Sequence, residues 1–270
     1  MEIQWTLVFF TLLACMGCGL FGAIAVVGLG NPSFVSKKGV LLALIMLAVG
    51  GLSSVFHLAH PFNALYVLTK LNTEFGKELL LMAAVGILMI IYLLRADKAS
   101  AGGKRTLCTL SVIAAAWMAF QAGVTYVLVA RSSWNTFLLP LSYLASACAL
   151  GCIAFGLIVR NASAQVLARM RLASFIAIIA QGILYLAYVS VSFTSTEADT
   201  SFFASSNGFG FFWIGVLLFG IVLPFVLLLP YRTINSWKSA LPLAFICVII
   251  GGIAFRSMMY LLGTDLPLVL

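Results

Sequence analysis

Long uncharged apolar runs limit what this chain can fold into. The first extends from Trp5 to Gly30 without one charged residue. A helix needs about 20 apolar residues to cross the hydrocarbon core of a bilayer. Seven further segments meet this requirement, some of them only with tilt or a polar end. We therefore predict eight transmembrane helices, at residues 5–30, 39–59, 78–94, 106–130, 134–159, 172–193, 209–229 and 241–262.

The predicted fold class is an all-α integral membrane protein. Charged residues make up 8% of the chain, against about 25% in soluble domains. The segments are uniformly apolar rather than alternating, which argues against a β-barrel. The first run is too long for a secretory signal, and only Glu2 precedes it, so we interpret it as a retained helix. Because the helices use most of the sequence, we predict a single membrane domain over residues 1–270.

The basic residues are unequally divided between the two sets of loops. The loops after helices 1, 3, 5 and 7 hold eleven of them: Lys37, Lys38, Arg95, Lys98, Lys104, Arg105, Arg160, Arg169, Arg171, Arg232 and Lys238. The other loops hold Lys70, Lys77 and Arg131. Positive loops face the cytoplasm, so we expect both termini on the outer, periplasmic side of a bacterial cytoplasmic membrane. This loop placement accounts for the net charge of +8 without any nucleic-acid partner.

Several cofactor sites are excluded by residue spacing. His57 and His60 are the only histidines, and two residues so close on one helix end cannot bind one haem from opposite faces. No cysteine at the outer side accompanies them, so structural zinc is unsupported. The chain also lacks phosphate-binding and dinucleotide-binding motifs. The C-x-x-C of Cys15 and Cys18 lies within the membrane, where we interpret both residues as small packing residues beside Gly17, Gly19 and Gly22. We expect no metal or nucleotide cofactor bound by this chain.

Three ionisable residues from different helices are predicted to reach the outer membrane face. His57 ends helix 2, Glu78 begins helix 3, and Arg256 lies within helix 8. An ionisable side chain at membrane depth usually marks a functional site or a paired charge. Polar and aromatic residues accompany them at the same level: Tyr126, Arg131, Trp134, Gln181, Tyr185 and Tyr260.

Each of these residues also has a simpler interpretation. Arg256 could extend its side chain to the interface, and Arg131 could be a loop charge near headgroups. His57 could be a helix-end residue bound to water, and Glu78 a first-turn acid that complements the helix dipole. Trp134, like Tyr126, could be an ordinary interfacial aromatic. Their convergence on one membrane face favours a shared site.

The order of these motifs resembles the membrane anchor subunit family of dimethyl sulfoxide reductase. HLAHP at 57–61 is similar to the family segment H-L-G-x-P, and an acidic residue at Glu78 follows it. RSSWNT at 131–136 resembles a P-x-W turn, and Gln181-Gly182 matches a Q-G pair. GGIAFRSMMY at 251–260 resembles G-E-x-x-G-R-x-x-F-Y. The chain departs from the family at Gly252, where a glutamate is expected, and at Ile214, where an arginine is expected.

This resemblance implies a subunit that oxidises menaquinol and anchors a molybdenum enzyme. His57 and Glu78 would act in proton transfer, and the quinol-binding residues would be His57, Glu78, Arg131, Trp134, Gln181, Arg256 and Tyr260. A four-cluster ferredoxin-like iron–sulfur subunit and a molybdopterin catalytic subunit would dock on the outer face. Iron–sulfur clusters and molybdopterin would be confined to these partners. The alternative is a polytopic transporter or accessory membrane protein without electron transfer, although no clear inverted repeat supports transport.

Overall fold

The computed structural model of the protein describes residues 2–56, 69–196, 201–229 and 233–263. Within these ranges there is no strand, and eight helices are long and apolar enough to cross a membrane. The predicted fold class is therefore confirmed. The helices are α1 (Trp5–Gly30), α2 (Lys37–Val55), α3 (Glu74–Arg95), α4 (Ala101–Val124), α5 (Leu138–Ile158), α6 (Ala164–Thr196), α7 (Ser206–Leu227) and α8 (Ile234–Leu262).

Three helices begin earlier than predicted because a hydroxyl residue caps each of them. The side chains of Thr73, Ser100 and Thr233 accept hydrogen bonds from backbone N–H groups of the first turn, at 3.1, 3.2 and 3.2 Å. Such caps satisfy amide groups that have no partner inside the helix. The earlier start of α3 moves Glu78 from the helix entrance into the second turn, where the side chain is buried.

The segment between α4 and α5 forms an extended turn where helix was predicted. Its side chains donate to the last carbonyl groups of α8, which have no partner within that helix. Ser133 Oγ donates to Leu262 O at 2.8 Å, and Trp134 Nε1 donates to Met259 O at 2.8 Å. Arg131 adds a longer bond of 3.4 Å to the carbonyl of Gly263. This turn therefore fixes the end of α8 that carries Arg256 and Tyr260.

Most of α7 is a π-helix, from Phe209 to Val222, where an α-helix was predicted. π-Helices are rare and usually a single turn long. Glycines recur here every fifth residue, and two of them lie against α8. A Cβ at Gly215 would come within 2.2 Å of the Ala254 Cβ, and one at Gly220 within 3.2 Å of the Gly251 Cα. The i→i+5 bonding pattern thus places consecutive glycines at the contact with α8.

Cross-helix contacts divide the loops into the two sets expected from the sequence. At one end, Lys37 pairs with Asp97 at 2.8 Å, and Arg160 donates to Lys238 O at 3.1 Å. At the other end, Gln121 of α4 donates to Glu74 of α3 at 2.9 Å. The strongly basic loops therefore share one end of the bundle, and the candidate site residues lie towards the other.

Helix α1 occupies the centre of the bundle, where it packs against α2, α4 and α5. Its tightest contact is with α5: a Cβ on Gly19 would lie 1.8 Å from Ala147 O, and one on Gly151 would lie 2.0 Å from Gly19 C. Cys15 and Cys18 are both buried, as expected of packing residues, whereas Gly22 has ordinary clearance. Large apolar side chains on the outer faces, such as Ile87 and Ile183, are about 60% exposed, as lipid-facing residues should be.

We expect Gly19→Ala to destabilise the protein by about 1–3 kcal/mol, as overpacking does, because backbone atoms of α5 leave no room for a methyl group. The purified protein should show a lower Tm. Gly86→Ala is the matched control, since nothing lies within 4 Å of a Cβ at Gly86. Equal Tm values for the two variants would contradict this account of the α1–α5 contact.

Candidate functional site

Arg256 is fully buried and hydrogen-bonded within the helix bundle. Its Nε donates to Thr11 Oγ1 at 3.0 Å, and its two terminal nitrogens reach Gly252 O at 3.1 Å and Thr11 O at 3.4 Å. The guanidinium carbon lies 4.6 Å from the centre of the Tyr143 ring, a cation–π distance. The side chain therefore turns inward, which contradicts the interpretation that it extends to the interface.

No carboxylate neutralises Arg256 in the described part of the chain. The ion pairs found there join Lys37 to Asp97 and Lys77 to Glu74. A buried charge without a counter-charge is costly, and hydroxyl, carbonyl, thiol and aromatic groups around Arg256 offset part of that cost. The arrangement leaves a fixed positive charge available to an anionic group.

Four aromatic side chains form a cluster beside Arg256. The Tyr126 ring lies about 6 Å from the rings of Trp134, Tyr143 and Tyr260, and Trp134 lies 5.7 Å from Tyr260. The cluster joins the α4–α5 turn to α5 and α8. All four side chains are at most 9% exposed. We call these residues the aromatic cluster.

Two buried tyrosine hydroxyls near Arg256, one inside the aromatic cluster and one beside it, lack ordinary hydrogen bonds. In the described structure the hydroxyl of Tyr260 lies near that of Tyr126 but makes no hydrogen bond of ordinary geometry. The same holds for the hydroxyl of Tyr185, which lies near Ser146 and Arg256 and whose ring stacks on Phe255 at 3.8 Å. Buried polar groups are normally paired, so such exceptions need an explanation. A polar ligand is one explanation, because it would supply the missing partners.

Glu78 is a buried carboxylic side chain at the same end of the bundle. It is 2% exposed, and its Oε1 has no hydrogen-bond partner among the described residues. The hydroxyl of Thr125 faces the Glu78 carboxyl. A negative charge on Glu78 acts on the hydroxyls of Tyr126 and Tyr260. A carboxyl group in such a place can take up or release a proton next to the aromatic cluster.

Burial raises the pKa of Tyr126 well above its ordinary value, and the nearby Tyr143, Tyr260 and Glu78 act in the same direction. Tyr126 therefore remains a protonated hydroxyl at every physiological pH. At the opposite end of the bundle, hydrogen bonding by Lys37 lowers the pKa of the exposed Asp97, which favours the ionised carboxylate.

Most residues predicted for the site are brought together, but they contribute in different ways. Arg256 and Tyr260 belong to the buried group itself. Arg131 stacks over the Trp134 ring at 4.5 Å, and both side chains hold the end of α8. Glu78 lies at the edge of the cluster and does not pair with Arg256.

One predicted site residue, Gln181, stands apart from this group. Gln181 donates to Gly220 O at 2.9 Å, which ties α6 to the π-helical part of α7. Its Oε1 is buried without a partner. His57, the first candidate from the sequence, lies outside the described residues, as does His60.

Sequence reasoning missed Thr11 and Tyr143, two of the side chains that contact Arg256 directly. One signal was present for α1: Thr11 and Cys15 are four residues apart, so they share a helix face. Cys15 also interacts electrostatically with Arg256. Tyr143 had no such signal, because its contact depends on how α5 packs against α8.

An apolar cavity of about 180 Å³ lies elsewhere in the bundle and is lined by small side chains such as Cys18, Ala115 and Ala147. It includes neither Arg256 nor Glu78, so it is not the polar site. Among the described residues, no three His, Cys, Asp or Glu side chains come together as metal ligands do.

These features define an integral membrane subunit with a buried, unneutralised cation and a buried carboxyl group at the weakly basic end. The sequence model of the DMSO reductase anchor subunit (DmsC) family matches residues 1–262, and the chain belongs to this family. The resemblance found in the sequence motifs is thereby confirmed. No curated protein matches the chain. As a DMSO reductase anchor subunit, it is membrane-embedded and associates with the other subunits of such a complex.

Proposed function

We propose that the protein binds and oxidises menaquinol and passes the electrons to an iron–sulfur subunit. The observation that carries this proposal is the fully buried Arg256, which has no carboxylate partner among the described residues and lies among tyrosines close to the buried Glu78. A quinol has hydroxyl groups that need a base, and it becomes more anionic as its protons leave. A buried cation and a buried carboxyl group near one another suit that chemistry.

The buried side chains have distinct tasks in this reaction. Arg256 stabilises negative charge on the ring oxygen, because its three hydrogen bonds hold the guanidinium in place before the charge develops. Glu78 accepts a proton, and its burial shields this transfer from bulk solvent. Tyr260 and Tyr185 offer hydroxyls to the ring oxygens.

Other predicted site residues act indirectly. Trp134 and Arg131 hold the end of α8 and so set the positions of Arg256 and Tyr260. Gln181 fixes α6 against α7. His57 is retained as the proton acceptor at the second ring hydroxyl, because its unperturbed pKa near 6.5 suits a base at neutral pH.

The reaction needs partners that carry the redox centres. Two electrons leave the quinol together with two protons, so an oxidised iron–sulfur subunit must accept the electrons. The iron–sulfur subunit docks on the outer face of a bacterial cytoplasmic membrane and passes the electrons on to a molybdopterin subunit. The uneven charge of the two ends supports this orientation, since the basic end faces the cytoplasm.

Replacing His57 with glutamine tests the proposal. We expect turnover of the assembled complex with a quinol analogue to fall by about 10²–10⁴, the usual contribution of a general base. Turnover with an artificial soluble donor should stay at the wild-type level, because that donor bypasses the membrane subunit. His60→Gln is the matched control, and we expect it to keep both activities. Equal retention of both activities in His57→Gln would remove His57 from the mechanism.

The competing function, a transporter or accessory protein, predicts a different purification result. An anchor should co-purify with an iron–sulfur protein, whereas a transporter should be stable alone and independent of quinone. Purification of the chain as a stable lone subunit would favour the competing function.

A further inference from the structure

Polar side chains of α3 and α4 lie between the buried Glu78 and the outer surface. Glu74 lies one helical turn before Glu78, about 6 Å away along the helix axis. Its side chain is 45% exposed and pairs at 2.6 Å with Lys77, which is 50% exposed. The two carboxyl groups are thus a buried group and an exposed group on one helix.

Side chains of α4 occupy the space between them. Gln121 donates from its Nε2 to Glu74 Oε2 at 2.9 Å and to Glu74 O at 3.3 Å. One turn further on, Thr125 faces the Glu78 carboxyl, and its Oγ1 donates to Gln121 O at 3.0 Å. Both carboxyl groups therefore have a polar neighbour on the same face of α4.

The Thr125 hydroxyl can respond to the protonation state of Glu78. A hydroxyl has one proton to donate and two lone pairs that accept. When it donates to Gln121 O, it can still accept a hydrogen bond from a protonated Glu78. When Glu78 is ionised, the same hydroxyl can donate to the carboxylate instead. One side chain can therefore support both states of Glu78 without a change in the backbone.

The outer end of this set of polar side chains is open. A cleft of about 540 Å³ is lined by Glu74, Lys77 and Gln121, together with apolar residues of α3 and α4. A proton that reaches Glu74 can thus leave to solvent. The ion pair with Lys77 then stabilises the ionised Glu74 carboxylate, which can accept the next proton. Burial prevents such an exit directly from Glu78.

We propose that Glu74 is the outer station of a proton outlet that begins at Glu78, and that Thr125 and Gln121 line the path between the two carboxyl groups. This inference rests on the proposed function. When the quinol is oxidised, its two O–H bonds break and two electrons pass to the oxidised iron–sulfur subunit. The proton that Glu78 accepts moves to Glu74 and then to water at the outer face, and His57 accepts the other proton. The axial rise of about 6 Å between Glu78 and Glu74 exceeds the length of one hydrogen bond. The Thr125 hydroxyl or a water molecule therefore bridges the two carboxyl groups.

Glu74→Gln in the full complex tests this outlet, because glutamine can still accept the hydrogen bond from Gln121 but cannot exchange a proton. We expect quinol-dependent kcat to fall by about tenfold, which is less than the 10²–10⁴ of a group that acts on the substrate itself, because Glu74 only passes the proton on. The KM for the quinol analogue and the rate with an artificial soluble donor should be unchanged. Small diffusible bases, such as imidazole or formate, should restore turnover, and Glu74→Asp should keep most of it.

The control is Glu2→Gln, which removes an exposed acid near the start of α1 and should leave turnover at the wild-type level. Wild-type kcat in Glu74→Gln would overturn the outlet. A lowered kcat that imidazole and formate fail to restore would overturn it as well, since that result indicates a structural role. A wild-type complex that is inactive with the quinol analogue would overturn the proposed function and this inference together.

Discussion

Arg256→Gln is expected to lower quinol-dependent turnover of the complex by about 10²–10³, the loss that follows removal of a preorganised charge-stabilising donor. Glutamine is too short to keep the bonds to Thr11 and Gly252, and it carries no charge to stabilise an anionic ring oxygen. The affinity for a quinol-site inhibitor should fall in parallel. Steady-state kinetics with a quinol analogue and an inhibitor titration on the purified complex measure both effects.

Structural damage must be separated from the loss of charge. Arg256→Lys keeps the charge but cannot reproduce the guanidinium fork, so we expect a smaller loss of turnover than in Arg256→Gln. Arg160→Gln makes the same substitution at the opposite end of the bundle, where Arg160 is exposed and donates to Lys238 O. It should keep wild-type inhibitor affinity. Unchanged inhibitor affinity in Arg256→Gln would show that the buried charge has only a packing role.

Much of the fold follows from single-sequence physics, because a bilayer requires long apolar helices with internally satisfied backbones. The eight apolar runs mark the helices, and the uneven division of Lys and Arg indicates which loops share an end. The errors concern helix ends. Thr73, Ser100 and Thr233 start their helices earlier than hydropathy indicates, since a cap extends a helix into polar sequence.

The candidate site was only partly predictable. Arg256 and Glu78 could be identified because an ionisable residue in an apolar run is rare and costly. Thr11 and Tyr143 could not, because hydroxyl and aromatic residues are common in such helices and their contact with Arg256 depends on tertiary packing. The π-helical part of α7 also escaped notice, although its glycines recur at a five-residue interval. That interval has meaning only once the contact with α8 is known.

Glu78→Gln is the second substitution with a large expected effect. The two side chains have nearly the same shape, so packing in the buried site should be preserved, and glutamine can still bond to Thr125. It cannot accept a proton from the substrate, so we expect quinol-dependent turnover to fall by about 10²–10⁴. Inhibitor affinity should change much less than in Arg256→Gln, because Glu78 does not supply the positive charge. Turnover with the quinol analogue and inhibitor titration measure the two effects.

The contrast between the two variants distinguishes proton transfer from charge stabilisation at one site. Asp97→Asn is the control for removal of a carboxylate, because Asp97 pairs with Lys37 at the basic end and should not affect turnover. If Glu78 were only a first-turn acid complementing the helix dipole, its neutral variant would lose a fraction of the stability and none of the rate. The second-turn position and the unpartnered Oε1 argue against that role. Wild-type turnover in Glu78→Gln would nevertheless favour the helix-dipole role for Glu78. The proton outlet would then have no inner station.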